Sequence, residues 1–308
     1  MDTAVDLNGL KLQNPIITAS GTFGYGLEFS PYGDLSTLGG IVVKGLSLEP
    51  RPGNPVPRIA ETACGMLNAI GLQNIGARKF VRDKLPALPW RETAVIANLY
   101  GQSPEEFGEL ADYLSRREEI AALEVNISCP NVRRGGVQFG QNPDTAARVT
   151  SQVKEQARGK PVIVKLSPNV ADIKEAAAAA ESGGADIISL INTLGGMAVD
   201  IETRQPRLAN VYGGLSGPAI KPVALKMTHE AAGAVSIPVI GMGGITSARD
   251  VLEFMLVGAW AIQVGTANFI SPDRSFALVR ETEELAASLG ISSWSEWRGT
   301  LRPHPALE

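Results

Sequence analysis

Short runs rich in β-branched residues alternate with longer stretches of helical periodicity along almost the whole chain, and this alternation constrains the fold more than any other feature. The strand-like runs fall at residues 15–18, 40–43, 94–97, 123–127, 162–166, 187–191, 239–242 and 261–264. Helical patterns cover 77–88, 104–117, 144–158, 170–182, 217–232, 248–257 and 274–289. Strands separated by helices lie parallel and are joined by crossovers, so eight such units predict an α/β fold, a closed (β/α)8 TIM barrel. A chain of 308 residues suits one barrel of roughly 250 residues with long loops, and residues 1–308 are expected to form one domain.

Local signals agree. Ser103-Pro104 followed by Glu105 and Glu106 opens one helix, and Gly183-Gly184 closes another. Near the start, Asn8-Gly9 separates two short alternating runs, which reads as an N-terminal hairpin plugging one end of the barrel. Three insertions exceed the ordinary few-residue connection and are expected to carry specificity: 46–74, the loop after Cys129, and 194–216. Within the last, 198–208 alternates like a protruding hairpin.

Composition excludes several function classes. A net charge of -4 offers no basic field for nucleic acid. No stretch approaches the roughly 18 apolar residues of a membrane span, and the first residues lack a signal pattern, so a cytoplasmic location is expected. Two cysteines and two histidines are too few for a disulfide framework, a zinc site or an iron-sulfur cluster, and any such cluster belongs to another chain. His229 falls within a helix and His304 in the tail, which leaves Cys, Lys, Tyr or a carboxylate as the candidate base.

Active sites of this barrel class lie at the carboxyl ends of the strands. In order those ends carry Ser20-Gly21, Lys44, Asn98, Asn126 with Cys129, Lys165, Asn192-Thr193, Gly243-Gly244 and Gly265-Thr266. The last two pairs follow strands seven and eight, where backbone amides frequently hold a phosphate. Each alone is equally a tight turn; their pairing in adjacent units favours phosphate. No dinucleotide fingerprint follows a strand, so a barrel-held flavin mononucleotide fits better than a nicotinamide. Lys165, approached through Val162-Ile-Val164, places an ammonium beside such a ring, and Lys44 offers a charge partner for a substrate carboxylate or for the flavin. Asn68, Asn126 and Asn192 supply the donors and acceptors that a planar ring with amide groups needs. Cys129 breaks the run Glu124-Val-Asn-Ile-Ser128 at a Cys-Pro pair, which sets it just past a strand end as the candidate base; a thiol with an ordinary pKa of about 8.5 takes a carbon-bound proton once ionised. A lone cysteine is more often inert core filling, and Cys64 is read that way.

Three motifs, Asn126-Ile-Ser-Cys-Pro-Asn131, Asn68-Ala-Ile-Gly-Leu-Gln-Asn74 and Gly241-Met-Gly-Gly244, resemble class I dihydroorotate dehydrogenases over nearly the whole chain. The wording around Asn68 and the Asn192-Thr193 pair look most like the NAD-linked subclass, type B. The resemblance implies oxidation of dihydroorotate to orotate in pyrimidine synthesis, with Cys129 removing the C5 proton while C6 gives a hydride to FMN. It implies FMN contacts at Ser20, Lys44, Gly45, Asn98, Asn126, Lys165, Ile191, Gly217, Gly243, Gly244, Gly265 and Thr266. Substrate contacts are implied at Lys44, Asn68, Ala69, Ile70, Gly71, Leu72, Asn126, Asn192 and Thr193. It also implies a partner subunit that carries FAD and a [2Fe-2S] cluster and passes electrons to NAD, with a homodimer inside a heterotetramer. Tyr100 departs from the smaller residues expected after Asn98. Two rivals stay open on the residues alone: a flavin-dependent reductase of uracil-like rings, and an aldolase or lyase using Lys165 as a Schiff base.

Overall fold

The computed structural model describes residues 3–128, 140 and 142–304. Eight parallel strands close into a barrel: β1 (Ile16–Thr18), β2 (Gly40–Val42), β3 (Ala94–Leu99), β4 (Ala122–Asn126), β5 (Val162–Lys165), β6 (Ile187–Leu190), β7 (Val239–Met242) and β8 (Ala261–Val264). Neighbours follow chain order, and β8 returns to β1 with Ile262 opposite Ile16 and Val264 opposite Thr18. All eight expected strands are present within a residue or two. Those strands read as continuous apolar runs because a barrel strand is buried on both faces, one inside the barrel and one under the helices.

Seven helices cover the outside: α1 (Ala77–Asp83), α2 (Pro104–Ser115), α3 (Pro143–Gln156), α4 (Ile173–Ser182), α5 (Lys221–Ala232), α6 (Ala248–Leu256) and α7 (Arg274–Ser288). In α2 the apolar positions Phe107, Leu110, Ala111 and Leu114 recur at helical spacing and are fully buried. Each large side chain so buried contributes about 1.5–3 kcal/mol. Ser103 starts the helix by accepting from the Glu106 amide. The connection from β1 to β2 has only 3-10 turns, Leu27–Phe29 and Leu35–Thr37.

The N-terminal hairpin pairs Val5–Leu7 with Leu10–Leu12 across Asn8 and Gly9, whose φ angles of 49° and 95° are those a two-residue turn of this hand demands. Its leucines are buried, and Asn8 Nδ2 donates to the Asp186 carbonyl just ahead of β6. The hairpin therefore closes the amino-terminal end of the barrel, opposite the strand ends that matter for chemistry.

The first and third insertions meet in one antiparallel sheet, ordered Leu194–Met197, Tyr212–Ser216, Gly65–Asn68 and Ile59–Thr62. The expected hairpin within 198–208 is present as Val199–Asp200 against Gln205–Pro206. Cys64 lies in the turn between two of the sheet strands and is exposed, which corrects its reading as core filling. No described helix is long and apolar enough to cross a membrane.

Candidate active site

A cavity of about 340 Å³ opens at the carboxyl ends of the strands, roofed on one side by the insertion sheet. Its wall carries Ser20, Lys44, Gly45, Asn126, Lys165, Ile191, Gly217, Gly243, Gly244, Gly265 and Thr266, with Asn68, Ile70, Gly71, Leu72, Asn192 and Thr193. These residues, drawn from distant parts of the chain, line one cavity, and two further described candidates do not. Ala69 is buried beside Ala60 and Leu67 under the insertion sheet. Asn98 is not in the wall: it is fully buried, its Nδ2 donates to Glu124 Oε2 at 2.6 Å, and its Oδ1 has no hydrogen-bond partner among the described residues. Cys129 and the loop from Arg133 to Gly136 lie outside the described residues.

Beneath the cavity, β3, β4, β6 and β8 each send one polar side chain into the barrel. The Glu124 carboxylate accepts from Asn98 Nδ2, Ser189 Oγ and Gln263 Nε2, at 2.6, 2.9 and 2.7 Å. A buried carboxylate with no ion-pair partner among the described residues needs such donors, because an unsatisfied charge inside a protein costs several kcal/mol. Gln263 also lines the cavity, and its Oε1 is buried with no hydrogen-bond partner among the described residues.

Lys165 ends β5 opposite Asn126 of β4 and is 5% exposed, so the barrel presents a nearly buried ammonium to the cavity. Lys44 follows β2. Burial pushes its ammonium below the ordinary lysine value, the Arg58 guanidinium pushes the same way, and Glu28 opposes both. Arg58 is itself held by the Asn54 carbonyl and by Gln73. A cavity-lining ammonium with a second cation close enough to act on it fits a ligand that brings a carboxylate.

The glycine loops after β7 and β8 are adjacent because Met242 pairs with Gln263. Gly243, Gly244 and Gly217 have φ angles of 127°, 74° and 98°, and a Cβ on Gly244 would stand 2.8 Å from Lys221 Cβ. Those glycines serve the turn itself. Gly265 differs: a Cβ there would come no nearer than 3.6 Å to any residue beyond its chain neighbours. None of the described residues asks for glycine at that point of the wall, whereas a closely approaching ligand does. The open face of Gly265 and the orphaned Gln263 Oε1 together fit a planar cofactor bearing N–H groups and a phosphate. Just ahead of α6 the amides of Thr246 and Ser247 are not free for a phosphate, since they already donate to Asp250 Oδ2.

Tyr100 is absorbed away from the cavity. Its ring meets Phe107 edge-on at 6.5 Å and lies under the Arg51 guanidinium. Gln263, Ser216, Met66 and Thr22 also line the cavity and were not anticipated. For Gln263 a signal existed: like Lys165, it is a polar residue inside an otherwise apolar barrel strand.

A closed parallel barrel with a cavity at its strand ends, lined by two lysines and paired glycine loops, defines a barrel enzyme that handles a small anionic ligand. A family model described as dihydroorotate dehydrogenase matches residues 3–287. The chain is 64% identical over 302 residues to the "Dihydroorotate dehydrogenase B (NAD(+)), catalytic subunit" of Solidesulfovibrio magneticus, covering 98% of this chain and 99% of that one. Proteins of the same name from Maridesulfovibrio salexigens and Geotalea daltonii are 61% and 56% identical, with 98% of this chain covered in each case and 99% and 98% of theirs. The chain belongs to the dihydroorotate dehydrogenase family.

Proposed function

We propose that the cavity binds FMN together with dihydroorotate, and that the chain is the catalytic subunit of an NAD-linked enzyme. The activity is that of a dihydroorotate dehydrogenase, an oxidoreductase reaction of pyrimidine biosynthesis in which dihydroorotate becomes orotate. The observation that carries the site assignment is the convergence, on one cavity, of Lys44, Lys165, Asn68, Asn126 and Asn192 with the glycine loops after β7 and β8.

Gly217, Gly243, Gly244, Gly265 and Thr266 would hold the phosphate of FMN, and Ser20, Gly45, Asn126, Lys165 and Ile191 its ring end. When bound, FMN supplies the two-electron acceptor. Lys44 pairs with the substrate carboxylate, and Arg58 reinforces the positive potential there. Asn68, Asn126, Asn192 and Thr193 hold the ring by its amide groups, with Ile70, Gly71 and Leu72 packed along it. Cys129 takes the C5 proton as a thiolate. Lys165 sets a buried positive charge where electrons are taken up. Lys44 favours this reading over reduction of a uracil-like ring, which has no carboxylate to pair with.

The proposed partner is an electron-transfer subunit carrying FAD and a [2Fe-2S] cluster, in a heterotetramer built on a homodimer. Two supports are that the relatives are named catalytic subunits and that two cysteines cannot ligate a cluster. Anaerobic mixing of the FMN-loaded chain with dihydroorotate should bleach the flavin absorbance, and an unchanged spectrum would overturn the assignment. The chain alone should reduce a dye acceptor but not NAD; efficient NAD reduction would remove the need for the partner. Cys129→Ala should retain FMN while flavin reduction slows by about 100-fold or more, as expected for a lost general base.

A further inference from the structure

Thr193 lines the cavity in the gap between β6, which ends at Leu190, and the roof strand Leu194–Met197, so neither sheet pairs its backbone. Two asparagine side chains hold it instead. The Thr193 amide donates to Asn192 Oδ1 at 2.9 Å, and the Thr193 carbonyl accepts from Asn169 Nδ2 at 2.9 Å. Asn169 Oδ1 reaches one residue further along and accepts from the Gly195 amide, also at 2.9 Å. The Thr193 hydroxyl itself has no hydrogen-bond partner among the described residues.

Asn169 lies in the loop that follows β5 and does not line the cavity. Its amide is matched to its partners at both ends. A carbonyl only accepts and a backbone N–H only donates, so Nδ2 must face Thr193 and Oδ1 must face Gly195. The second Nδ2 hydrogen goes to Ser167 Oγ at 3.2 Å, and that hydroxyl also accepts from the Asn169 amide at 3.1 Å. From the roof, Thr193 is met by Gly214, where a Cβ would stand 1.9 Å from Thr193 Oγ1. The hydroxyl is thus set between a clamp from the barrel and a roof strand with room only for glycine.

We propose that Asn169 is a positioning residue that fixes Thr193, so that the unengaged Thr193 hydroxyl faces the substrate ring. The inference rests on the proposed placement of the substrate against Asn192 and Thr193. Asn169 touches no ligand in this role. It supplies the pairing that Thr193 lacks between two sheets, and it does so from the loop after the strand that ends in Lys165. A hydroxyl held in place beforehand needs little ordering when the ring arrives, whereas a shift of about 1 Å is enough to lose most of its benefit.

The test measures, on the FMN-loaded protein, the dissociation constant of orotate and the KM and kcat for dihydroorotate with a dye acceptor, and on the apoprotein the dissociation constant of FMN. Asn169→Ala should raise the orotate constant and KM by about tenfold or more, with FMN affinity within about threefold of wild type. In a Thr193→Ala background the same change should cost less than about threefold, because the group it positions is gone. Wild-type orotate affinity in Asn169→Ala, an undiminished loss in the Thr193→Ala background, or an equal loss of FMN affinity each overturns the inference and leaves the site assignment standing. Wild-type protein that does not bind orotate overturns the site assignment and the inference with it. Should Asn169→Ala fail to fold, Asn169→Asp is read in the same way. It keeps the shape and the acceptor for Gly195 but sets a carboxylate against the Thr193 carbonyl, so orotate affinity should again fall by about tenfold or more.

Discussion

Lys44 joins burial to substrate charge, and the join has a pH dependence of definite sign. Burial, with Arg58 acting in the same direction, lowers the value of the free ammonium, whereas a bound carboxylate favours the charged form. Affinity for dihydroorotate should then be full below the depressed Lys44 value and fall as pH rises through it. Lys44→Met should raise KM by about 100-fold, the loss expected for one partner of a desolvated charge pair, and should flatten the alkaline limb of the kcat/KM profile. The glycines give a second contrast at this scale. Gly265→Ala should leave apoprotein stability within about 0.5 kcal/mol of wild type, because its Cβ would make only ordinary van der Waals contacts with Ala19 and Thr22, yet weaken FMN binding. Gly244→Ala should destabilise the apoprotein by about 2 kcal/mol or more, since φ is 74° and the new Cβ meets Lys221. Urea denaturation with flavin titration separates the two.

The start of α6 brings local chemistry and tertiary packing together. Asp250 completes a capping box with Ser247 and also receives Lys221 Nζ at 2.6 Å. Burial by itself raises the Asp250 value, but hydrogen bonds from Lys221, Thr246 and Ser247 outweigh it and hold the carboxyl below the usual range. The stabilisation is accordingly present above the unfolded-state carboxylate value and lost as pH falls through the lower folded one. Asp250→Asn should cost about 1–2 kcal/mol at neutral pH, and the difference from wild type should shrink on acidification, measurable as converging urea midpoints. Element by element, the barrel strands were readable because burial on both faces writes them as β-branched runs, and the hairpin because Asn8-Gly9 admits only a tight turn. The insertion sheet was not readable. Gly65-Met-Leu-Asn68, Leu194-Gly-Gly-Met197 and Tyr212-Gly-Gly-Leu-Ser216 are poor strand formers by composition, and they become strands only by pairing with one another.

Across the whole molecule, the barrel interior gathers side chains that no single segment could reveal. Lys165 and Asn126 were legible as polar ends of apolar strands, and the same signal ran through Glu124, Ser189 and Gln263 without being read as a cluster. Asn98 was legible as polar and inward but not as a ligand of Glu124, because a strand's period gives its face and not its depth. Glu124→Leu would remove the common acceptor of three buried donors and should destabilise the fold by about 3 kcal/mol or more in urea titration. The insertion sheet has a consequence of another kind. Asn68 and Gly214, 146 residues apart in the chain, sit opposite each other in it, so the roof of the cavity cannot form until β2 through β6 have been synthesised and brought together. Contacts of such long sequence separation form late and slowly. Barrel closure joins partners still further apart, Ile262 of β8 with Ile16 of β1, so the roof and the closed barrel both wait for distant parts of the chain, and the cavity is complete only once the last strand and the glycine loop after it are in place.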